Sequence, residues 1–583
     1  MDAETADLNS PEALEPSDIR PGRVPGRWRF LPKRLLFQRL RYRLRVAFLR
    51  LPGACKPLPG CHGTALIFSH SDIWPGDLES GRALLTDGYF LAGEYLENPE
   101  PLWTTPKASR DWKEGLHAFD WLRDLRSAGG DQARRKARDL TALWLANYAR
   151  GWDGLAWAPQ VLGRRLANIL GHFEYYAANA EPPFQAALID SLGRQARHLA
   201  KVLPAGLTGS DLLAAIKGLS FAALSLPGGE TLLPRARALL EEELERQVLL
   251  DGGQAERDPF AQVAVLRDLI DLRALFHAAG EEPPAELTLA IERMGPFLRL
   301  LRHGDGGLPL FNGGLEGPAW YLDLLLQRAG GRSRPFYAAP QAGFQRLQAG
   351  RSVLVLVADS GRPPPAGLDG AAHAGTLSFE MSVGRERMIV NCGSHPFSER
   401  WRSLLRGTAA HSTLCFDGRN SSQLLAEGGL GKRAGDVRCR REEQEGNVWL
   451  QLSHDGYRER YGLIHHRRLF LAAGGEDLRG EDRLEVVDPE KLTAAAGEGK
   501  LVTLRFHLHP EVGANLSQGG SLLLRLKRGG GWRFHQAGGA LSLEPSIYFG
   551  GFPEVRRSEQ IVVTAPLDGR DTTIKWTFKR EGR

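Results

Sequence analysis

The sequence predicts a chain of two kinds of structure: a helical N-terminal part laid out as an α/α toroid or solenoid, then an antiparallel β-sandwich. Three observations lead there. The 583 residues exceed what one hydrophobic core ordinarily organises, so two folded units are expected. Apolar residues recur every three or four positions from about residue 80 to 330, and every second position after about 340. Hydrophobic residues make up 42% and charged residues 25%, the balance of a soluble globular protein.

Residues 1–60 stand apart by charge. The first nineteen hold six acids (Asp2, Glu4, Asp7, Glu12, Glu15 and Asp18) and no base, whereas residues 20–50 hold eleven bases and no acid. Setting both stretches aside takes the formal charge from +6 to +1, so the basic character belongs to this arm. Phe37, Leu40, Tyr42, Leu44 and Phe48 are threaded among its arginines. Such a segment suits an anionic membrane surface, or packs on the body with its arginines in water. No nucleic-acid-binding motif follows, so nucleic acid is not an expected partner.

Residues 61–340 form the helical part. Ala137, Leu140, Trp144 and Tyr148 make one core stripe; Phe184, Leu188, Leu192, Ala196, Leu199 and Leu203 make a second; Leu233, Ala236, Leu240, Leu244 and Val248 make a third. Breaks at 151–153, Pro182-Pro183, Pro204, Pro227-Gly-Gly and Asp251-Gly-Gly imply helical hairpins with short loops. Residues 341–583 read as strands at 353–357, 377–381, 448–452 and 574–578, with turns at Gly384, Asp417-Gly418, Gly474-Gly475 and the glycines at 529–531.

The five cysteines include no CxxC pair, so neither a disulfide framework nor a cysteine zinc site is indicated. No apolar run is long enough to span a bilayer, and the acidic, proline-containing start lacks the pattern of a secretory signal. The expected location is cytoplasmic or peripheral at the inner membrane, with the periplasm as the alternative.

Chemistry-bearing residues concentrate at 373–423. The stretch reads His373-Ala-Gly-Thr-Leu-Ser-Phe-Glu-Met-Ser, Arg387-Met-Ile-Val-Asn391-Cys-Gly-Ser, Trp401-Arg-Ser-Leu-Leu-Arg-Gly-Thr-Ala-Ala-His411-Ser-Thr, then Phe416-Asp-Gly-Arg-Asn-Ser-Ser-Gln423. In order and spacing these four elements resemble the central signature of the heparinase II/III-like family. Asp251-Gly-Gly-Gln-Ala-Glu-Arg257-Asp-Pro, Arg302-His-Gly-Asp-Gly-Gly307, Arg505-Phe-His-Leu-His-Pro510 and Ser546-Ile-Tyr-Phe-Gly550 with Glu559-Gln-Ile-Val562 extend the likeness over roughly residues 80 to 565.

The resemblance implies an α/α toroid followed by a β-sandwich, and β-elimination from a uronic-acid polysaccharide. That reaction needs donors that neutralise the uronate carboxylate, a base for the C5 proton and an acid for the leaving oxygen. His411 and His303 are candidates for the base. Arg257 and Arg406 are candidates for the carboxylate, because an arginine fork matches one bidentately. Arg165, Asn168, Asp211, Asp305 and Arg402 are candidate substrate contacts. The family pattern also places His373, Asn391 and His411 where members hold a zinc ion. Asn391 stands in place of the family's aspartate, so the alternative is a hydrogen-bonded histidine pair steadying the sandwich. His465-His466 and His507 with His509 read as structural, because adjacent residues of a strand point to opposite faces.

The sequence also departs from the family. Ala371 replaces the first histidine of its His-Ala-His segment, Ser210-Asp211 falls where an Asn-His pair neutralises the uronate, and Phe260-Ala261-Gln262 lacks the expected tyrosine. Three functions follow in order of expectation: a lyase acting on an acidic polysaccharide, a catalytically impaired protein that binds or handles such a glycan, and a glycoside hydrolase, whose paired carboxylates would come from Asp211, Asp305 and Glu256.

Overall fold

The computed structural model describes residues 26–49, 56–61, 63, 65–150, 154–330, 336–350, 354–395, 398–495, 500–528, 530–551 and 555–582. The acidic tail and the bases Arg20, Arg23 and Arg50 of the arm lie outside them. The chain forms two compact units, one of residues 31–248 and 264–293, the other of residues 26–30, 249–263 and 294–582. It therefore passes from one to the other at 30/31, 248/249, 263/264 and 293/294. The change from helix to strand falls later, between helix Ala319–Arg328 and the short strand Ala338–Ala339.

In the helical unit the three predicted stripes lie on helices Gly130–Tyr148, Pro182–Val202 and Leu233–Gln247, whose residues Ala137, Leu140, Trp144, Leu188, Leu192, Ala196, Leu199, Ala236, Leu240 and Leu244 are buried. Pro159 and Pro182 each open a helix, where a missing N–H costs nothing. Helices Pro159–Gly171 and Gly209–Ser225 approach so closely that a Cβ on Gly218 would lie 2.0 Å from the Gly163 carbonyl oxygen. Only glycine allows that contact. One element differs from the helical expectation. Gly88–Leu91 and Glu94–Glu97 form an antiparallel hairpin, because Ala92 and Gly93 both take positive φ (51° and 84°), the turn that matches strand twist.

The sandwich unit contains two antiparallel sheets. One runs in the order Gly513–Leu516, Leu522–Arg525, Gly531–Ala537, Thr572–Glu581, Asp477–Val486, Leu463–Leu471, Asn447–His454, Val437–Gln444. The other runs Ala540–Tyr548, Arg556–Pro566, Leu501–Leu508, Glu386–Val390, Phe379–Val383, Leu354–Asp359, Phe344–Ala349, Ala338–Ala339, with Leu414–Phe416 also paired to Leu501–Leu508. Phe379, Phe506, Phe534, Trp576 and Phe578 share one buried core. Phe379 stacks on Trp576 at 5.8 Å, and Phe506 meets Trp576 edge-on at 4.8 Å. Each ring contributes on the order of 1.5–3 kcal/mol by burial.

Inside this core lies a fully enclosed polar network. The Asp482 carboxylate accepts from Arg467 Nε (2.7 Å), His465 Nε2 (2.8 Å) and Trp576 Nε1 (2.8 Å). Burial alone would raise Asp482, but Arg467 and His465 overcome it and hold the carboxyl at about 2. Arg467 also donates through Nη1 to the carbonyls of Leu377 (2.7 Å) and Ser412 (2.9 Å). The strand expected at 377–381 begins at Phe379 instead, since Leu377 sits at φ 66° and offers its carbonyl to that arginine.

Candidate functional site

The signature residues of the sandwich unit are cross-braced by their neighbours. Arg406 Nε donates to the Ala372 carbonyl (2.9 Å), Thr408 Oγ1 to the Ala374 carbonyl (2.7 Å), and the Ala374 amide to the Arg406 carbonyl (2.8 Å). The amide of His373 donates to Asn312 Oδ1 (3.0 Å), whose Nδ2 donates to the Arg257 carbonyl (2.6 Å). A Cβ on Gly375 would lie 2.4 Å from His411 Cδ2, so glycine there lets the imidazole lie against the backbone.

These braces bring His373 and His411 together, with Nδ1 of the first 3.1 Å from Nε2 of the second. His411 Nδ1 is 2.7 Å from the Gly407 carbonyl, which can only accept. Nδ1 of His411 therefore carries the proton, its Nε2 is the acceptor, and His373 Nδ1 donates. Burial pushes His411 down to about 4 and His373 well below its ordinary value, so both are neutral at pH 7.

The donor set does not suit a zinc ion. Asn391 is wholly buried and its Oδ1 accepts the Ser412 amide at 2.9 Å. Its Nδ2 meets no acceptor and has no lone pair to offer a metal. Among the described residues no three His, Cys, Asp or Glu side chains converge on a common point. In this structure His373 and His411 form a hydrogen-bonded pair, and the Asn391 amide holds the backbone beside them.

His303 is held in a second buried cluster. Its Nε2 lies 3.0 Å from Glu380 Oε2 and its Nδ1 3.1 Å from Ser382 Oγ. Glu380 is fully enclosed, and its Oε1 accepts the amides of Leu310 and Asn391, each at 2.9 Å. Burial lowers His303 despite that carboxylate. Both ring nitrogens of His303 are engaged in this structure, and so are both of His411.

The two candidate carboxylate-binding arginines are also committed internally. Arg257 donates to the carbonyls of Ala342 (2.6 Å), Gly343 (3.0 Å), Gly361 (3.3 Å) and Arg362 (2.5 Å), and to Asp359 Oδ1 (2.6 Å). Arg406 gives its remaining donors to the carbonyls of Leu425 (3.2 Å) and Gly429 (2.6 Å). Both are buried, with their forks turned to internal acceptors. Asp305 pairs with Arg387 (2.7 Å) while keeping part of its surface in solvent, and Arg402 is exposed on helix Glu399–Leu405.

In the helical unit, Arg165 is fully enclosed, 4.2 Å over the Trp144 ring, donating to Gln195 Oε1 (2.8 Å) and to the carbonyls of His117 (2.9 Å) and Ala156 (2.8 Å). Burial brings it down to about 9. It is a packing residue rather than the substrate contact expected. Asn168 Nδ2 donates to the Ala118 carbonyl and to Asp120 Oδ1, each at 2.9 Å, and Asp120 also pairs with Arg164. Asp211 is exposed in the first turn of helix Gly209–Ser225.

Residues that the sequence reading passed over organise much of the sandwich site. Glu380 and Arg387 are two of them, Glu316 and Tyr548 two more. Tyr548 is buried and its hydroxyl donates to Glu316, while Arg387 Nη1 stands 3.8 Å from the same carboxylate. The one visible signal is Glu380, a charge set between Phe379 and Met381 in a strand segment.

Comparison with known proteins agrees with this architecture. A model of the heparinase II/III-like C-terminal domain matches residues 331–577. The chain is 33% identical over 533 residues, 88% of its own length and 90% of the other's, to FtsZ-localized protein C of Caulobacter vibrioides. The crystal structure of heparinase III superposes with a TM-score of 0.71 at 14% identity, covering 96% of this chain and 92% of that one. Heparan sulfate lyase HepC from Pedobacter heparinus gives 0.59 at 15%, covering 94% and 88%. The chain belongs to the heparinase II/III-like family, and its fold is an α/α toroid followed by an antiparallel β-sandwich.

Proposed function

We propose that this chain binds an acidic polysaccharide without cleaving it, and acts together with FtsZ from the cytoplasmic face of the inner membrane. The observation that carries the first part is the commitment of His303, His411, Arg257 and Arg406. Their polar atoms are spent on internal partners, so none offers a base or a free fork to a uronate. Asp211, in place of the family's Asn-His pair, would repel a carboxylate rather than neutralise it. The FtsZ association is suggested by the name of the Caulobacter relative. With heparan sulfate, chondroitin, hyaluronan and alginate, the purified protein is expected to bind at least one polymer while producing no absorbance of unsaturated uronate. A rise in absorbance that His411→Ala abolishes would restore the lyase reading.

Membrane docking is supported by helix Lys33–Leu49. Leu35 and Leu49 are its buried residues, and Arg34 and Arg45 reach Glu242 and the Lys201 carbonyl. Phe37, Leu40, Leu44 and Phe48 share the opposite stripe and are 56–65% exposed. Apolar side chains flanked by arginines, with no acid on the helix, suit an anionic bilayer surface. Among the described residues no helix is long and apolar enough to cross a membrane. The double substitution Phe37→Asp, Leu44→Asp is expected to weaken binding to phosphatidylglycerol vesicles by roughly ten-fold or more, with the melting temperature unchanged because both side chains face solvent. Equal sedimentation of variant and parent with vesicles would count against docking. In the same assay, FtsZ polymers should carry the parent protein into the pellet.

A further inference from the structure

The sandwich unit contains a cavity of about 240 Å³ that neither His373 nor His411 lines. It is smaller than the roughly 300–1,000 Å³ of pockets for drug-sized ligands, a size that suits one ring. Its lining carries both charges. Asp305 and Glu316 line it, their side chains 29% and 33% exposed while Arg387 and the Tyr548 hydroxyl fix them in place. Burial opposes the ionisation of Asp305, but Arg387 overcomes it and keeps the carboxylate charged. Both groups keep oxygen lone pairs free to accept hydroxyl hydrogens. His509 lines the same cavity, with its ring edge-on to Tyr548 at 4.9 Å, and burial holds it neutral at about 4.

Arg385 and Arg556 also line the cavity, are exposed and form no ion pair among the described residues. The neighbouring acids are already engaged, Glu511 by Lys527 (2.7 Å) and Glu386 by the Arg528 amide (3.1 Å). Val512 and Leu526 add apolar surface to the lining. A ligand that satisfies this wall needs several hydroxyls, one carbon face and one anionic group.

We infer that this cavity binds one acidic sugar unit of a polysaccharide, its hydroxyls donating to Asp305 and Glu316 and its carboxylate taken by Arg385 and Arg556. The inference deepens the glycan-binding reading above and rests on it. Arg387 acts through Asp305 and Glu316 and is a positioning residue.

The test uses the full chain, titrated calorimetrically with whichever uronate polymer of the panel it binds and with neutral dextran as control. The double variant Arg385→Ala, Arg556→Ala should bind the uronate polymer at least about ten-fold more weakly, as loss of charge-assisted contacts requires. Its melting temperature should stay put, because both side chains are exposed. Glu316→Gln, which keeps the size of the group but weakens its acceptance of hydroxyls, should also lower affinity. Unchanged affinity in both variants would overturn the cavity assignment while leaving glycan binding intact. No binding of any uronate polymer by the parent protein would overturn both.

Discussion

Acidification from pH 7 to pH 4 is expected to unfold the protein, with the transition between roughly pH 6 and 4. The cause is a set of histidines buried in neutral form. Burial takes His411 and His172 down to about 4 and His507 and His198 to about 3, and holds His373 and His454 well below their ordinary value. In the unfolded chain each would take up a proton near 6.5. The unfolded state therefore binds more protons than the native state below that pH. The stabilisation is fully present above 6.5 and is lost as pH falls towards the folded values. A shift of two and a half units corresponds to about 3 kcal/mol per group. Four carboxyls oppose this, because burial raises Asp124 and Asp258 to about 6 and raises Asp211 and Asp359 as well, so the native state protonates them first. Four such groups do not offset six histidines, and a fold typically has only about 5–15 kcal/mol in hand. Circular dichroism and tryptophan fluorescence against pH would follow the loss. A melting temperature that stays level from pH 7 to pH 4 would refute the assignment of neutral buried histidines.

Replacement of Arg467 by methionine is expected to cost about 3–5 kcal/mol, which lowers the melting temperature by roughly 3–7 °C. The substitution keeps the apolar stem but strands the Asp482 carboxylate in the core with only His465 and Trp576 as partners. It also frees the carbonyls of Leu377 and Ser412, which lie just beyond the segments carrying His373 and His411. The companion double variant Arg467→Met, Asp482→Leu removes the stranded charge and should recover part of the loss, since a buried pair replaced entirely by apolar groups is often neutral. If the single and double variants melt at the same temperature, the carboxylate is not what Arg467 holds in place. At neutral pH the parent network is intact, because Asp482 titrates only near 2.

The helices were legible because burial repeats at their period, and Ala137, Leu140 and Trp144 face inward as the spacing requires. The strands were legible from alternation, as at Asn447–His454, where every second residue is buried and those between are half-buried or exposed. The hairpin at Gly88–Leu91 was not, because four residues hold too few repeats to show a period. Leu377 misled for a different reason, since its left-handed backbone answers to an arginine some ninety residues away. The site was legible only in part. Spacing along the chain cannot show that Gly407 fixes the His411 tautomer, or that Arg257 is filled by carbonyls from residues 342–362. Those are long-range contacts, and an arginine bound to carbonyls looks in sequence like one awaiting a carboxylate.

The repeated passage of the chain between its two units bears on how this protein could be taken apart. A gene divided at residue 340, where helices give way to strands, would place Arg257 and His303 in one fragment. Asp359 and Glu380, the carboxylates they answer, would fall in the other. The sandwich is thus assembled from pieces of sequence that surround the helical unit, and it is not a cassette that can be excised and fused elsewhere. Chimeras with relatives of this fold would have to exchange residues 249–263 and 294–330 along with the strands, or inherit buried carboxylates without the bases that neutralise them.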